Sequence, residues 1–366
     1  MKTVAENLIG RHKSELMTPC LLLDIEAVDK NINKMAAFFS SLECKLRPHA
    51  KSHKLPLIAQ KQIEAGAIGI TCAKLQDAEA FINAGIDNVL IANEIVGSEK
   101  IRKLIDLSGR ANIIVCVDSF DNTCELSLAA EEKGQKLDIL IEVDTGLNRC
   151  GVAPGKPVLN LLQKIMELNR INFRGLMGYE GGLFIMAEDE KIKVCRQRNR
   201  ALVKTKELLQ DKGFTVEIVS AGGANTYNIT GLCPGITEIQ PGSYVTMDDW
   251  NKKYGLDFEQ AITILTTVIS RPVEDRAVTD AGLKAISTDH GLPRIINRKG
   301  ITVQALNEEH GKLTLSGQAC ELAAGDKLEI APTHGCTTIP LYDKYIAIKD
   351  SHVVDVLDII SRGAVY

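Results

Sequence analysis

A basic segment with two histidines, KLRPHAKSHKLP at residues 45–56, has obvious potential for chemistry, because Lys51 lies between His49 and His53. Such a segment fits a solvated turn, a nucleic-acid contact, a pair of metal ligands, or a lysine placed for covalent chemistry. The formal net charge of -4 and the pI near 6.0 lack the electrostatic footprint of a nucleic-acid-binding protein. The other three interpretations stay open at this point.

A second candidate is the H-x-C pair in PTHGC, formed by His334 and Cys336. On an extended strand, residues two apart face the same side, so this spacing predicts an imidazole and a thiolate directed at one site. The pair suits zinc, and manganese or a related divalent ion stays open. Two protein ligands leave positions for water and substrate, as in a catalytic metal site. A buried cysteine beside a hydrogen-bonded histidine is the alternative.

Glycine-rich segments follow several apolar runs: EVDTGLNRCG at 142–151, GYEGG at 178–182, SAGGANTY at 220–227 and QPGSY at 240–244. Backbone N–H groups of such turns can hold a phosphate. Turns that merely need positive φ are the alternative. A lysine at a buried strand end, opposite two such turns, is the arrangement that holds pyridoxal phosphate as a Schiff base. A surface lysine in a basic turn would make this interpretation wrong.

The elements that carry these residues form one long regular region. Eight apolar, β-branched runs between Cys44 and Val245 alternate with amphipathic segments that end at glycines. This pattern predicts a (β/α)₈ TIM barrel, with Lys51 at the end of the first strand. An open doubly wound sheet is disfavoured because no G-x-G-x-x-G follows the first run. Chemistry in such a barrel gathers at the carboxyl ends of the strands.

From about residue 255, strand-like runs joined by polar turns replace the alternation. We therefore predict a barrel over residues 24–250 and a β domain with the metal motif over 251–366, which residues 1–23 join through PCLLLD. No apolar run approaches the roughly 20 residues of a membrane span. The N-terminal segment has no apolar core, so we expect no secretory signal. The ten cysteines are spread singly, and we expect reduced thiols in a cytoplasmic protein.

The chain resembles the D-threonine aldolase and D-serine dehydratase family, a branch of the alanine-racemase-type pyridoxal-phosphate enzymes. The similarity runs from TPCLLLD at residue 18 to LDIISRG near the end and includes RPHAKSHK, EVDTGLNRCG, SAGGANTYN, TEIQPGSYVTMD and PTHGCTT. It implies a Schiff base on Lys51, a metal on His334 and Cys336, and a homodimer. Independently of the resemblance, His49 beside Lys51 is a candidate for stacking on the cofactor ring or orienting Lys51. The implied cofactor-binding residues are Arg149 at the phenolic oxygen, Tyr179, Ser220, Gly222, Gly223, Gln240, Gly242 and Ser243.

Several positions depart from the family. Many relatives have threonine where Ala224 stands and glycine where Asn225 stands, and often a histidine and a glutamine where this chain has Gly182 and Phe184. Racemase relatives have arginine at the position of Gln240, and a neutral glutamine there would bind the pyridine nitrogen differently. These differences leave the substrate side chain open.

The resemblance implies a lyase that uses pyridoxal phosphate and one divalent metal on a D-β-hydroxy amino acid, a small-molecule substrate. Retro-aldol cleavage to glycine and an aldehyde is favoured, and elimination to an α-keto acid and ammonia is close behind. A racemase is disfavoured because TDAGLKAIS lacks the tyrosine that racemase relatives place there. A non-catalytic pyridoxal-phosphate carrier would lack the β domain and the metal motif. A hydrolase that uses only the metal would bind no pyridoxal phosphate.

Overall fold

The structure is a computed structural model that describes residues 7–365. These residues form two compact units. The barrel unit comprises residues 34–51, 56–242 and 364–365, and the β unit comprises residues 7–33, 52–55 and 243–363. Elements are numbered in chain order.

The barrel unit contains eight parallel strands in the order β2-β9-β8-β7-β6-β5-β4-β3. An isolated bridge between His49 and Thr71 links the segment after β2 to β3 and joins the two ends of this order. The predicted TIM barrel is therefore confirmed. The strands are β2 (Lys45–Leu46), β3 (Ile70–Cys72), β4 (Asn88–Glu94), β5 (Asn112–Val117), β6 (Leu137–Val143), β7 (Ile171–Gly178), β8 (Ile218–Ala221) and β9 (Glu238–Ile239).

Helices alternate with these strands because apolar residues recur at helical spacing between them. In α4 (Ser98–Ser108), Ile101, Leu104 and Ile105 are buried, and the helix ends at Gly109. The other helices that follow barrel strands are α2 (Pro56–Glu64), α3 (Leu75–Asn83), α5 (Phe120–Glu132), α6 (Lys156–Ile165), α7 (Glu188–Asp211) and α8 (Tyr227–Thr230).

The strands of the barrel pack around an apolar cluster that includes Leu90, Ile114, Leu140 and Met177. Each such side chain stabilises the fold by about 1.5–3 kcal/mol relative to leaving it exposed. Cys116 belongs to the same cluster and is fully buried, in keeping with a small core hydrophobe. The barrel interior is thus a packed core, and chemistry is left to its rim.

The β unit contains a nine-stranded sheet in which β13-β14-β11-β10-β1-β16-β17 are consecutive neighbours, while β15 pairs with β10 and β12. Its strands are β1 (Cys20–Asp24), β10 (Ile262–Val273), β11 (Arg276–Thr279), β12 (Arg294–Ile295), β13 (Ile301–Leu306), β14 (Gly311–Leu315), β15 (Lys327–Ala331), β16 (Lys344–Lys349) and β17 (His352–Asp358). The remaining helices are α1 (Ile25–Phe39), α9 (Asp249–Lys253) and α10 (Gly335–Thr338).

The N-terminal strand β1 lies inside this sheet. Leu22 pairs with Thr263 of the antiparallel neighbour β10 and with Ile346 of the parallel neighbour β16. Leu22, Leu265 and Ile346 belong to one buried cluster. The PCLLLD segment therefore completes a sheet built mostly from the C-terminal part of the chain.

Candidate active site and metal centre

The lysine segment leaves the first barrel strand earlier than predicted. β2 ends at Leu46, and Lys51 lies in a 3₁₀ turn, Ala50–Ser52. Pro48 has no N–H for a strand ladder, and its carbonyl accepts the Thr71 N–H at 2.8 Å. The His49 N–H donates to the Pro241 carbonyl at 3.1 Å. The turn that carries Lys51 is thus attached to β3 and to the turn after β9.

The prediction that Lys51 is buried is wrong, because its side chain is exposed. Lys51 lies in a 3₁₀ turn at the rim of the barrel and is exposed there, whereas a residue inside a buried strand would not be. His53, two residues on, is fully buried in the β unit. Its ring accepts the Leu55 N–H at 3.1 Å, and its carbonyl accepts the Tyr345 hydroxyl at 2.7 Å. His53 therefore stabilises the fold.

Arg149 and Tyr179 lie together at the carboxyl ends of β6 and β7. The guanidinium carbon of Arg149 is 5.6 Å from the centre of the Tyr179 ring. A Cβ atom at Gly181 would lie 2.2 Å from the Tyr179 ring, and one at Gly223 would lie 3.2 Å from it. The position of this ring therefore requires a glycine at 181 and leaves little room for a side chain at 223, which is a packing reason for part of both glycine-rich segments.

The ends of β8 and β9 bring Ser220 and Gln240 together. The side-chain amide of Gln240 donates to the Ser220 hydroxyl at 2.7 Å, and both residues are buried. The Gly222 N–H donates to the Glu180 carboxylate at 3.0 Å, and the Gly223 N–H donates to the Thr226 hydroxyl at 3.2 Å. These two N–H groups therefore bind protein atoms. Gly242 and Ser243 follow Gln240 and Pro241 in the next turn.

An acidic pair not considered in the sequence analysis, buried Glu142 and partly buried Glu94, lies beside Arg149. Oxygens of Glu94 and Glu142 and the sulfur of Cys150 all lie within 4.8 Å of one another. Arg149 is 3.6 Å from Glu142 Oε1. Burial, together with the charge of Glu94, raises the pKa of Glu142 from 4.5 to about 8, although Arg149 acts in the opposite direction. Glu142 is therefore held largely protonated at neutral pH.

This shift predicts that protein stability falls as the pH rises from about 4.5 to about 8. In that window the folded state keeps a proton that the unfolded state has released, so the unfolding free energy declines by roughly 1.4 kcal/mol per pH unit. Glu142→Gln replaces the acid with a neutral amide and is expected to remove most of this decline. Thermal unfolding of both proteins at about pH 5.5 and about pH 8.5 measures it.

Glu217→Gln is the matched control, since this carboxylate is half-exposed and paired with Arg174. The control should retain the wild-type difference between the two pH values. The same pH dependence in Glu142→Gln as in the wild type would contradict the assignment of the shift to Glu142.

The H-x-C pair adopts a different local structure from the one predicted. His334 is extended and is the N-cap of the short helix α10, and Cys336 lies within that helix. The pair is therefore not on an extended strand, which is a correction to the sequence analysis. The Gly335 N–H between them donates to the buried Asp248 carboxylate at 2.9 Å, and this bond fixes the start of the helix.

Two residues that the sequence analysis did not single out lie against His334. The Asp289 carboxylate is 2.6 Å from His334 Nδ1, and the His290 ring stacks on the His334 ring at 4.1 Å. Asp289, His290 and His334 each offer an atom within 4.8 Å of the others, a grouping suited to a metal ion. In the sequence, the adjacent Asp289 and His290 of STDHGLP were the feature that could have marked these residues as candidate metal ligands.

Electrostatics around His334 favour a positive charge. Burial lowers the pKa of His334, but the hydrogen bonds and charges of Cys336 and Asp289 raise it to about 9. A metal ion would supply that charge in place of the proton. Because Asp289 contacts Nδ1, the ring orientation leaves Nε2 for a metal, as with carboxylate–histidine pairs at zinc sites. The imidazole, thiol and carboxylate present therefore fit a divalent metal.

The barrel residues also fit pyridoxal phosphate. The unit presents an exposed lysine at position 51, a cation at Arg149, an aromatic ring at Tyr179, and a buried neutral amide at Gln240. A parallel barrel with this rim, joined in sequence to a β domain, defines the alanine-racemase type of protein.

Comparisons with known proteins agree with that class. Residues 23–249 match the family described as alanine racemase, N-terminal domain, and residues 261–348 match the putative serine dehydratase domain. The chain is 36% identical to D-threonine aldolase of an Arthrobacter species over 353 residues, 94% of this chain and 93% of that protein. It is 34% identical to 3-hydroxy-D-aspartate aldolase of Paracoccus denitrificans (strain Pd 1222) over 376 residues. The match covers 98% of this chain and 95% of that protein.

The solved structure of D-threonine aldolase from Filomicrobium marinum matches with a TM-score of 0.94 at 34% identity, covering 98% of this chain and 99% of that one. The chain therefore belongs to the D-threonine aldolase and D-serine dehydratase family, a family of pyridoxal-phosphate-dependent lyases. The predicted family and enzyme class are confirmed. Within residues 7–365, no helix combines the length and apolar character that crossing a membrane requires.

Proposed function

We infer that the protein cleaves a D-β-hydroxy amino acid to glycine and an aldehyde, with pyridoxal phosphate and one divalent metal. The observation that carries this proposal is the near full-length similarity to two named aldolases. Lys51 and the His334–Cys336 pair are the residues that such chemistry needs from this chain. A homodimer and a cytoplasmic location stay predictions.

Lys51 would hold the cofactor through its amine, and Arg149 would pair with its phenolic oxygen. Pyridoxal phosphate, when bound, supplies an electron sink for the bond broken at the substrate α-carbon. Tyr179 and Gln240 would hold the ring, and His49 would orient Lys51 or stack on the ring. Our proposed phosphate contacts are Ser220, Gly242 and Ser243. Gly222 and Gly223 would instead shape the turn after β8, because their N–H groups donate to Glu180 and Thr226.

His334 and Cys336 would hold the metal, and Asp289 would fix the His334 ring by accepting from Nδ1. A divalent metal supplies Lewis acidity toward the substrate hydroxyl. Zinc is our first choice because of the thiolate, and manganese is the second. The proposed arrangement differs from a structural zinc site because protein groups would not fill every coordination position.

A dehydratase that releases an α-keto acid and ammonia is the second candidate. The match of residues 261–348 to the putative serine dehydratase domain favours it, since that segment contains both His334 and Cys336. The same metal and cofactor would serve either reaction. The two activities therefore differ in their products and not in the groups that this chain would use to bind the cofactor and the metal.

Product analysis tests the proposal. D-threonine, D-serine and D-3-hydroxyaspartate are added separately to protein loaded with pyridoxal phosphate and with zinc or manganese. We expect glycine and the matching aldehyde from at least one substrate, and no product from Lys51→Ala. Ammonia with an α-keto acid as the main products would replace the aldolase by the dehydratase. Racemised substrate without cleavage would contradict both.

A further inference from the structure

Glu180 is a buried acid that the proposed reaction does not use directly. It follows Tyr179 after β7 and is 1% exposed. Its Oε2 accepts the Gly222 N–H at 3.0 Å, and its Oε1 accepts the Thr226 hydroxyl at 2.7 Å. The Thr230 hydroxyl also donates to Oε1. One side chain thus holds the glycine turn after β8 and the first turn of α8.

The partners of this carboxylate in the described part of the chain are neutral donors, which include the Cys195 thiol at 3.8 Å. Burial of a charge is costly unless hydrogen bonds satisfy it, and neutral donors offset that cost less well than a cation. Arg198 binds the backbone instead, because it donates to the carbonyls of Glu180 and Gly181 at 3.2 and 2.8 Å. The main chain at Glu180 is therefore fixed as well.

Thr226 links Glu180 to the Gly223 side of the turn through hydrogen bonds. Its hydroxyl accepts the Gly223 N–H at 3.2 Å and donates to Glu180, and its own N–H donates to the Gly223 carbonyl at 3.2 Å. The N–H groups of Gly222 and Gly223 are therefore both directed toward Glu180, one directly and one through Thr226. An anion bound near this turn must therefore use groups other than these two N–H groups, and Ser220, which precedes the turn, is the one proposed above.

We propose that Glu180 is a positioning residue: by holding residues 222–226, it fixes the turn that follows Ser220 and so keeps this proposed phosphate contact in the position that binds the cofactor phosphate. This inference rests on the proposed function, because the phosphate belongs to pyridoxal phosphate. A purely structural role would stabilise the protein without affecting which form of the cofactor it prefers. The ratio of the affinities for pyridoxal phosphate and pyridoxal therefore distinguishes a positioning role from a purely structural one.

The test compares pyridoxal phosphate with pyridoxal, which lacks the phosphate, on full-length protein stripped of cofactor with hydroxylamine. Glu180→Gln keeps the side-chain size but directs an amide donor at groups that are themselves donors. We expect the preference for pyridoxal phosphate to fall by roughly tenfold or more, the cost of a hydrogen bond to a charged group. Pyridoxal affinity should stay within about threefold, because Lys51 is untouched. Dissociation constants from absorbance titration give the ratio.

Glu217→Gln is the control for the same chemical change at a half-exposed site, and it should keep the wild-type ratio. Thr226→Val removes only the relay hydroxyl, should lower the ratio in the same direction, and decides the question if Glu180→Gln does not fold. An unchanged ratio, or an equal loss of both affinities, overturns the inference and leaves the proposed function intact. A wild-type protein that binds neither compound removes the proposed function itself.

Discussion

Lys51→Ala is expected to lower lyase activity by roughly a thousandfold or more, because no other side chain in the proposed site offers the amine that holds the cofactor. The visible absorbance of the bound cofactor should disappear with the activity. The exposed position of Lys51 in its 3₁₀ turn predicts that the substitution leaves the fold intact. Steady-state kinetics, absorbance spectra and thermal unfolding measure the three effects.

Lys45→Ala is a suitable control because this exposed lysine lies on β2, before the turn, and its amine donates to the Leu42 carbonyl at 3.4 Å. It should keep both activity and absorbance. Borohydride reduction followed by mass spectrometry should attach the cofactor to Lys51 in the wild type. A reduced adduct on a different lysine in Lys51→Ala would show that Lys51 is wrongly assigned.

Removal of the metal is expected to lower activity by roughly a hundredfold or more and to leave the protein folded. EDTA, His334→Ala and Cys336→Ala should each produce this state, because closed four-ligand sites couple metal binding to folding, whereas the proposed two-ligand site would keep open positions. Zinc or manganese should restore only the EDTA-treated protein. Metal content, kcat and the thermal unfolding midpoint are the measurements.

Asp289→Asn gives a graded test of the same site. The amide keeps the size of the carboxylate but loses the charge that orients His334, so metal affinity should fall by roughly 10- to 100-fold. High metal concentration should rescue this variant and should not rescue His334→Ala. His352→Ala, an exposed histidine on β17, is the control with no expected effect. Full activity of metal-free protein or of His334→Ala would eliminate the metal from the mechanism.

The barrel was predictable because the apolar pattern within each strand and helix reflects which of its faces are buried. Runs such as NIIVCV and LDILIEV are continuous because both faces of a parallel strand are buried. Eight such runs, separated by amphipathic segments that end at glycines, leave few other folds. The residue types at the strand ends then predicted a site at the carboxyl ends of the strands.

The local structure at the two chemical motifs was not predictable in the same way. The 3₁₀ turn that follows His49 exposes Lys51, and the anchor that fixes the segment before it is the carbonyl of Pro241. Asp248 similarly favours a helix at Gly335 by accepting its N–H. Both anchors come from distant parts of the chain, so the local pattern, read as a strand, was misleading.

The side chains that support the proposed contacts could not be predicted either, because their partners also lie far away in the sequence. Asp289 and His334 are 45 positions apart, and Glu180 is 42, 46 and 50 positions from its partners Gly222, Thr226 and Thr230. No spacing rule connects such residues. Only the fold brings them together, although the acid and histidine of STDHGLP could have been included among candidate ligands.

The place of β1 within its sheet has a consequence for synthesis of the chain on the ribosome. Leu22 emerges early, but its partners Thr263 and Ile346 emerge only after the whole barrel segment. The eight barrel strands have their partners available before the sheet of the β unit can close around β1. Both edges of an apolar strand therefore remain unpaired until late in translation, when they are open to aggregation. Chains whose synthesis stalls before β16 would keep an unpaired β1 that can aggregate. A chaperone that covers β1 would protect such chains.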